Sequence, residues 1–199
     1  GEGQALIALV LALLAKDETA EALKAAEEGA RRFSSLGDVA NESMMLQMAA
    51  SLHLKSANTD KALKAASGIA ATAQGLQAKA AGLETLYEVY LQKREFSKAR
   101  KVVDDILALC EEAGDKKKEA MAMLLVSNVH FMQGDFADAV TAAREAQAIL
   151  HDLGAAKEEA HALRVVAEVH ASNQDHEAAL RAAERARRIL QSEGIDQEA

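Results

Sequence analysis

The sequence repeats itself with a period of about 40 residues, and this periodicity constrains the fold more than any other feature. Equivalent alanines recur at spacings of 40, 37, 40 and 40 residues: Ala22, Ala62, Ala99, Ala139 and Ala179. A second marker keeps the same spacings, with glutamine replacing glycine in one copy: Gly37, Gln77, Gly114, Gly154 and Gly194. Periods of this length are typical of stacked supersecondary units, each of which contacts its neighbours. We therefore predict a repeat protein.

The composition favours helices along the whole chain. Proline is absent, and the commonest residue types include Ala, Leu, Glu, Lys, Arg and Gln, which have high helix propensity. Aromatic residues make up only 3% of the chain, so small and aliphatic side chains must fill the interior. Because each of them contributes little at about 25 cal/mol per Å² buried, a single unit is not expected to be stable alone.

The fourth copy shows that the predicted unit is a helical hairpin. Its first helix has a stripe at i, i+3, i+4 and i+7, and its second helix follows a turn at Gln133-Gly134-Asp135. The positions on the two helices are Met123, Val126, Ser127 and His130, then Ala139, Ala143, Ala146 and Ile149. The other copies keep this phase. The one 37-residue step predicts a loop shortened by three residues near Gln74-Gly75.

This register predicts a single array over residues 1–199. Its repeats span approximately 1–36, 37–75, 76–113, 114–153 and 154–193, and 194–199 begin a further repeat or form a tail. The apolar run Ala5–Ala15 falls on the first helix of the first repeat. Its eleven residues are fewer than the roughly 20 that span a bilayer, and no positive charge precedes it as in a signal peptide, which is the alternative interpretation.

The fourth hairpin resembles the tetratricopeptide repeat (TPR). The resemblance is carried by a small residue, a residue in the family's tyrosine position, a Gly-Asp-aromatic turn and an alanine: Ser127, His130, Gly134-Asp135-Phe136 and Ala139. The long period resembles the variety found in kinesin light chains and spindle-orientation adaptors. The resemblance implies an all-α solenoid, a right-handed superhelix of about five antiparallel helix-turn-helix repeats. It also implies a non-enzymatic protein that binds other proteins.

Charge and cysteine content restrict the partner and the compartment. The formal net charge is −8, from 31 acidic and 23 basic residues, which argues against a nucleic-acid partner and favours a basic or neutral one. Cys110 is the only cysteine, so no intrachain disulfide can form. We expect it to be a small buried residue near a helix end, in a protein of a reducing intracellular compartment, with the cytoplasm favoured and an organelle as the alternative.

No pattern in the sequence predicts catalysis, a cofactor or a metal site. His53, His130 and His170 share one repeat position, so we interpret them as structural equivalents, each packed against its own hairpin. The sequence contains no HExxH motif and no phosphate-binding glycine loop. The arginines near residues 181–188 follow glutamates at i+4 spacing, which is typical of pairing on a helix surface, with a weak anionic contact as the alternative.

The candidate binding residues lie on the first helices, which line the concave face in the TPR family. Carrying the register across predicts exposed stripes at Met44, Gln47, Ser51 and Lys55, at Glu84, Glu88 and Gln92, at Met121, Leu124, Asn128 and Met132, and at His161, Arg164, Glu168 and Ser172. All six methionines fall on two first helices, and methionine is common on adaptable binding surfaces. The family's lysine and asparagine clamp for a carboxylate is disfavoured, because Leu124 stands at the lysine position.

Two functions remain open at this point. The first is a non-enzymatic scaffold or adaptor that holds a peptide or helix of a protein partner in the concave groove, with apolar anchors over Met44 and Met132. The second is a structural subunit embedded in a larger multi-protein assembly, which would use its alanine-rich helices and apolar first helix as contact surfaces. Neither requires a cofactor, a nucleic acid or a membrane span.

Overall fold

The computed structural model describes residues 2–72 and 76–194 of the chain, and this part is all-α. It contains ten helices: α1 (Glu2–Ala15), α2 (Thr19–Leu36), α3 (Val39–Lys55), α4 (Thr59–Thr72), α5 (Leu76–Gln92), α6 (Phe96–Ala113), α7 (Lys116–Gln133), α8 (Phe136–Asp152), α9 (Ala156–Ser172) and α10 (His176–Ser192). The predicted helical hairpins are confirmed. None of the helices within these residues is long and apolar enough to cross a membrane.

The chain divides into two compact units, Gly1–Val102 and Val103–Ala199. In the first unit α1 to α5 pack in series, each against the next, and in the second unit α7 to α10 do the same. Two helices fall in each predicted repeat range, while the repeat boundaries and the single array over 1–199 stay predictions. The predicted loop deletion near Gln74-Gly75 and the predicted segment 194–199, except Gly194, lie outside the described residues.

Left-handed glycines end several second helices and allow the next hairpin to start at once. Gly37 follows α2 with φ of 68°, and its N–H donates to the carbonyl of Ser34. The next residue, Asp38, accepts a hydrogen bond from the N–H of Asn41 and so caps α3. Because a residue with a Cβ is strained at this φ, glycine suits the joint. Asp115 caps α7 in the same way after Gly114.

The turn inside each hairpin also contains a left-handed residue, but only one of the five is glycine. They all lie five positions before the marker alanines: Asp17, Ala57, Arg94, Gly134 and Gln174, with φ of 63°, 55°, 57°, 88° and 61°. The Gly-Asp-aromatic pattern predicted this turn only in the fourth hairpin. The helices on either side therefore impose the conformation on residues that do not favour it.

The marker alanines lie where the second helix of each hairpin is buried. Ala22, Ala62, Ala99 and Ala139 are fully buried, and Ala179 is half-buried. In the fourth hairpin the two helices are also joined by a hydrogen bond, because Ser127 Oγ donates to the carbonyl of Ala139 at 2.7 Å. Small residues at the marker position let paired helices approach closely, as the low aromatic content predicts.

Contacts between neighbouring hairpins combine large and small residues at equivalent positions. Gly29 of α2 faces Met45 of α3, and Gly82 of α5 faces Ile69 of α4. In the second unit the equivalent positions are both alanine, Ala146 and Ala162, which lie in one core cluster. The large side chain thus lies on the first helix in one pair, at Met45, and on the second helix in the other, at Ile69. In both pairs the glycine opposite leaves room for it.

Helix α1 has apolar residues on more than one face. Val10 is fully buried, and Leu6 and Leu13 pack against the same core cluster. Leu9, which the apolar stripe of the sequence places with them, is about half exposed, as is Leu11. The expected stripe on this helix is therefore only partly used for packing in the first unit.

Candidate functional site

A groove runs between the first helices α7 and α9 of the second unit. Its volume is about 300 Å³, and its lining is formed by Met121, Leu124, Leu125, Ser127, Asn128, Phe131, His161, Val165, Glu168 and Val169. Five of the candidate residues from the sequence are brought together here: Met121, Leu124, Asn128, His161 and Glu168. We call this surface the first-helix face of the second unit, and the exposed stripes of α3 and α5, considered by themselves, the first-helix face of the first unit.

Helical periodicity explains how the two sides of the groove meet. On α9, His161, Val165 and Glu168 lie at i, i+4 and i+7, so they point to one side of the helix. The equivalent residues of α7 include Leu125 and Asn128, and α7 contacts α9 directly. The groove consequently has aliphatic side chains between polar ones.

The groove lining includes two residues that the sequence pattern did not single out, Leu125 and Val165. Leu124 is only 5% exposed and belongs to a core cluster, so it offers little surface to a partner. Leu125 and Val165, which the sequence analysis did not select, are half-buried and line the groove. Spacing of i+4 from Met121 and His161 could have identified both, whereas the i+3 step selected Leu124 and Arg164.

An ion pair joins the N-terminal ends of the two helices that form the groove. Lys117 Nζ lies 2.6 Å from Glu158 Oε1. The hydrogen bond from Lys117 lowers the pKa of Glu158. The pair therefore favours the side-by-side arrangement of α7 and α9 on which the groove depends, although a half-exposed pair of this kind contributes little to stability.

The other candidate residues of the second unit are exposed but do not line this groove. Met132, near the end of α7, is 41% exposed, and Arg164 and Ser172 of α9 are exposed. They lie on the same helices as the groove residues. Their part in partner binding stays a prediction.

In the first unit the candidate residues occupy α3 and α5, which contact each other. Met44 is 45% exposed, Gln47 is half-buried, and the rest are exposed: Ser51, Lys55, Glu84, Glu88 and Gln92. Gln92 Nε2 donates a hydrogen bond to the carbonyl of Leu54 at 3.5 Å, which connects the C-terminal ends of the two helices.

The acidic pair on α5 has an unusual electrostatic environment. Glu84 and Glu88 are separated by one helical turn and so lie on the same side of the helix. Partial burial raises the pKa of Glu88, and the neighbouring Glu84 carboxylate raises it further. A negative charge at Glu88 is therefore disfavoured in the folded protein, and a cation on a partner would relieve this cost.

The methionines divide between core and surface. Met45 is fully buried, and Met48 and Met123 pack against core clusters. Met44 and Met132 are the two methionines that the structure leaves largely exposed among the described residues.

Two of the three equivalent histidines make different contacts. His170 Nδ1 lies 3.4 Å from Asp175 in the turn of its own hairpin. His53 is buried, and its Nε2 lies 3.0 Å from Glu27 Oε1 on α2, so its partner belongs to the preceding hairpin instead of its own. The packing of each of these histidines against its own hairpin stays a prediction. Cys110 is buried near the end of α6, as expected.

No cluster of three or more His, Cys, Asp or Glu side chains suited to a metal ion occurs within 2–72 and 76–194. The exposed histidine of the groove, His161, has Glu168 two turns away on the same helix. The rest of the lining consists of apolar side chains, the amide of Asn128 and the hydroxyl of Ser127, which bind by contact and hydrogen bonding.

Comparison with known proteins identifies the fold. No protein-family model matches the sequence, and a search of curated proteins finds no significant relative. The solved structures are more informative. A kinesin light chain candidate from Podosopora anserina with nearly identical TPR-like repeats aligns with a TM-score of 0.76 and 12% identity, over 98% of this chain and 97% of the other. This chain has a TPR-like fold.

Two further structures support the TPR-like fold. BtubC (BKLC) from P. vanneervenii aligns with a TM-score of 0.78 and 17% identity, over 96% of this chain and 80% of BtubC. A Rap protein complexed with competence and sporulation factor aligns with a TM-score of 0.70 and 13% identity, over 91% of this chain and 52% of the Rap protein. At these identities the likeness concerns the fold.

Proposed function

We propose that this TPR-like chain is a non-enzymatic interaction module that holds a peptide segment or a helix of a protein partner on the first-helix face of its second unit. The observation that carries the proposal is the groove of about 300 Å³ between α7 and α9. Its aliphatic floor at Leu125 and Val165 suits an apolar anchor of the partner. The polar groups of Asn128, His161 and Glu168 around the floor would orient the partner by hydrogen bonds.

The dimensions of the groove favour a polypeptide over a cofactor. Its volume is at the lower end of the roughly 300–1,000 Å³ of small-molecule sites, and it is built from two parallel stripes of side chains. Stripes that repeat every helical turn match the i, i+4, i+7 anchors of a partner helix, or alternate side chains of an extended segment. The Rap structure complexed with competence and sporulation factor is a precedent for a TPR-like fold that holds another molecule.

The first unit would contribute acidic and apolar contacts of its own. Glu84 and Glu88 would select a basic group, because a cation near Glu88 stabilises the charge that burial disfavours. Met44 would supply an adaptable apolar contact on α3. In the second unit we assign polar selection to Asn128 and Arg164, and an apolar contact to Met132.

The proposal is tested in two steps. A photo-crosslinking residue in place of exposed His161 captures the partner, which mass spectrometry identifies, and the purified partner is then titrated against variants. We expect Glu168→Lys to weaken binding about fivefold, or roughly 1 kcal/mol, as for a solvent-accessible contact. The matched control is Glu184→Lys, which makes the same charge change on an exposed position of α10.

The control and the helical content decide the outcome. Glu184→Lys should bind within twofold of the wild type, and both variants should keep the far-ultraviolet circular dichroism of the wild type. Equal affinities for all three proteins would remove the α7–α9 groove from the binding site. Charge reversal at Glu84 and Glu88 applies the same test to α5.

The second candidate function is a structural subunit of a larger assembly. It is favoured by the exposed apolar side chains of α1, where Leu9 and Leu11 are about half exposed. Size-exclusion chromatography with light scattering distinguishes the two functions. A monodisperse monomer supports the interaction module, whereas obligate self-association supports the structural subunit.

A further inference from the structure

The second unit contains another groove, on the side formed by the second helices. It lies between α8 and α10, has a volume of about 230 Å³ and is lined by three arginines over an aliphatic floor. Arg144 comes from α8, Arg181 and Arg185 come from α10, and the floor includes Leu163 and Val166 of α9. We call this surface the arginine groove.

Three guanidinium groups around one cavity are notable in a chain with a formal net charge of −8. No carboxylate is among the residues that line the described cavity. Arg181 is paired with Glu177 of its own helix, but both side chains are mostly exposed. Such a pair has little net stability, so a ligand carboxylate can replace Glu177 at small cost.

Arg185 is held at the edge of the groove by a buried carboxylate. Glu159 is 4% exposed, and it accepts a hydrogen bond from Gln147 Nε2 at 2.6 Å. Its other oxygen lies 3.0 Å from His151 Nδ1. Arg185 Nη2 is 3.4 Å from Glu159 Oε1, the longest of the three contacts. Because a guanidinium has five N–H donors, Arg185 keeps donors that can face the groove.

An equivalent groove in the first unit shows that packing does not require these arginines. It lies between α2 and α4 and has a volume of about 560 Å³. Glu27 stands there five positions after Ala22, where Arg144 stands five positions after Ala139. Gly68 takes the position of Arg185, and Lys64 takes the position of Arg181. The same helical arrangement is therefore compatible with an acidic residue, a glycine or an arginine.

We propose that the arginine groove binds an acidic peptide segment of a protein partner. Glutamate or aspartate side chains of the segment pair with Arg144 and Arg181, and an apolar side chain between them packs on Leu163 and Val166. Arginine suits this role because its planar guanidinium binds a carboxylate through two parallel hydrogen bonds. The aliphatic floor and the acidic chain as a whole favour a short acidic peptide over a nucleic acid, whose extended phosphate backbone needs a larger basic surface.

This site is independent of the first-helix face, because α9 contributes different sides to the two grooves. His161, Val165 and Glu168 face the α7–α9 groove, whereas Leu163 and Val166 form the floor of the arginine groove. One unit could thus hold two segments at once. Failure of either proposal leaves the other intact.

The test measures fluorescence anisotropy of three short labelled peptides of equal length. The first contains Glu, Leu and Ser, the second has Gln in place of every Glu, and the third has Ser in place of every Leu. Each is titrated with the wild type and with the double variant Arg144→Glu/Arg181→Glu. The matched control is Arg187→Glu/Arg188→Glu, which changes the net charge equally at exposed positions of α10 outside the groove lining.

We expect the acidic apolar peptide to bind the wild type best and to bind Arg144→Glu/Arg181→Glu roughly tenfold more weakly. The control variant should stay within about twofold of the wild type, and added NaCl should weaken binding because the contacts are ionic. Inorganic phosphate at matched ionic strength should compete only weakly.

Five results would overturn the proposal. Four of them are equal losses in both double variants, equal binding of the Gln peptide, displacement of the peptide by phosphate at low concentration, and absence of peptide binding at about 1 mM protein. Tighter binding of a labelled single-stranded nucleic acid than of the peptide would also overturn it. Circular dichroism of each variant establishes that the fold is retained, since all four substituted arginines are exposed.

Discussion

Substitution of Gly82 by alanine should destabilise the first unit although Gly82 lies inside a helix, where alanine is normally preferred. A Cβ added at Gly82 would lie 2.9 Å from the backbone nitrogen of Ala70 and 2.9 Å from Ile69 Cγ2. Ordinary contacts begin near 3.4 Å, so α4 and α5 would have to separate by about half an ångström. A backbone atom cannot rotate away as the end of a side chain can.

The size of the effect follows from two opposing terms. Overpacking of a close helix contact costs about 1–3 kcal/mol, and a contact with backbone belongs at the upper end of this range. The gain in helix propensity from glycine to alanine is about 1 kcal/mol. We therefore expect Gly82→Ala to lower the free energy of unfolding by about 1–2 kcal/mol, which for a chain of this length lowers the melting temperature by roughly 2–8 °C.

Gly29→Ala is the matched control. Gly29 also lies in a helix, α2, and is also buried, but its added Cβ would meet the side-chain atoms Sδ and Cγ of Met45 at 2.7 and 3.0 Å. Because methionine can change rotamer, we expect the stability of Gly29→Ala to stay within about 0.5 kcal/mol of the wild type. Urea and thermal unfolding followed by circular dichroism at 222 nm measure both variants.

A double variant tests the cause of the effect. Ile69→Ala/Gly82→Ala reproduces the alanine pair that the second unit has at Ala146 and Ala162, and it removes one of the two clashes. Its loss of stability should be smaller than the sum of the two single losses. If Gly82→Ala proved as stable as Gly29→Ala, close backbone approach would not be the reason for glycine at this position.

Two further predictions concern backbone strain and pH. Ala57→Gly should raise the free energy of unfolding by about 1 kcal/mol, because it relieves a left-handed alanine at φ of 55°. Gly134→Ala, at φ of 88°, should lower the free energy of unfolding. Chemical denaturation measures both variants, and a loss of stability in Ala57→Gly would contradict backbone strain at this turn. Because the pKa of Glu88 is higher in the folded than in the unfolded protein, ionisation of its carboxyl group opposes folding. The free energy of unfolding therefore falls as the pH rises from the ordinary pKa of glutamate to the raised pKa of Glu88. Glu88→Gln should therefore raise the urea midpoint at neutral pH and leave it unchanged at about pH 3, where the carboxyl group is neutral in both states, and equal midpoints at neutral pH would refute the shift.

The arrangement of helices could be predicted from the sequence because a few positions have a single steric solution. The marker alanines lie where helices touch, and Gly37 and Gly114 lie where the backbone must take positive φ. Alanine allows close helix contact and glycine adopts positive φ, so the recurrence of these two residue types shows where the helices lie.

The turns inside the hairpins could not be predicted equally well. Only Gly134 marks a left-handed residue by its type, while Ala57 and Arg94 adopt the same conformation without any local preference for it. Packing of the two helices imposes the turn, and a contact between helices is not visible in a local pattern. The role of Gly82 was missed for the same reason, since it depends on the approach of α4 to α5.

Part of the groove lining could be predicted from the sequence, and Leu125 and Val165 could not. A step of 3.6 residues per turn lets either i+3 or i+4 continue a stripe, and only the packed neighbour decides which residue faces the core. In α7 both Leu124 and Leu125 line the groove, but Leu124 is only 5% exposed and Leu125 is half-buried. The difference depends on the angle at which α7 meets α9, which sequence spacing does not specify.

Comparison of the hairpins with one another separates positions where packing requires one residue type from positions where the residue type can vary. All hairpins solve the same packing problem, and the position of Ala139 is alanine in every copy. The position of Asn128, eleven residues before it, is Ser51 in the second hairpin, Glu88 in the third and Glu168 in the fifth. Side chains of such different size and charge cannot all serve one packing role. These residues differ in the chemical groups that they offer on the first helices. The first helices are the elements to which we propose that the partner binds.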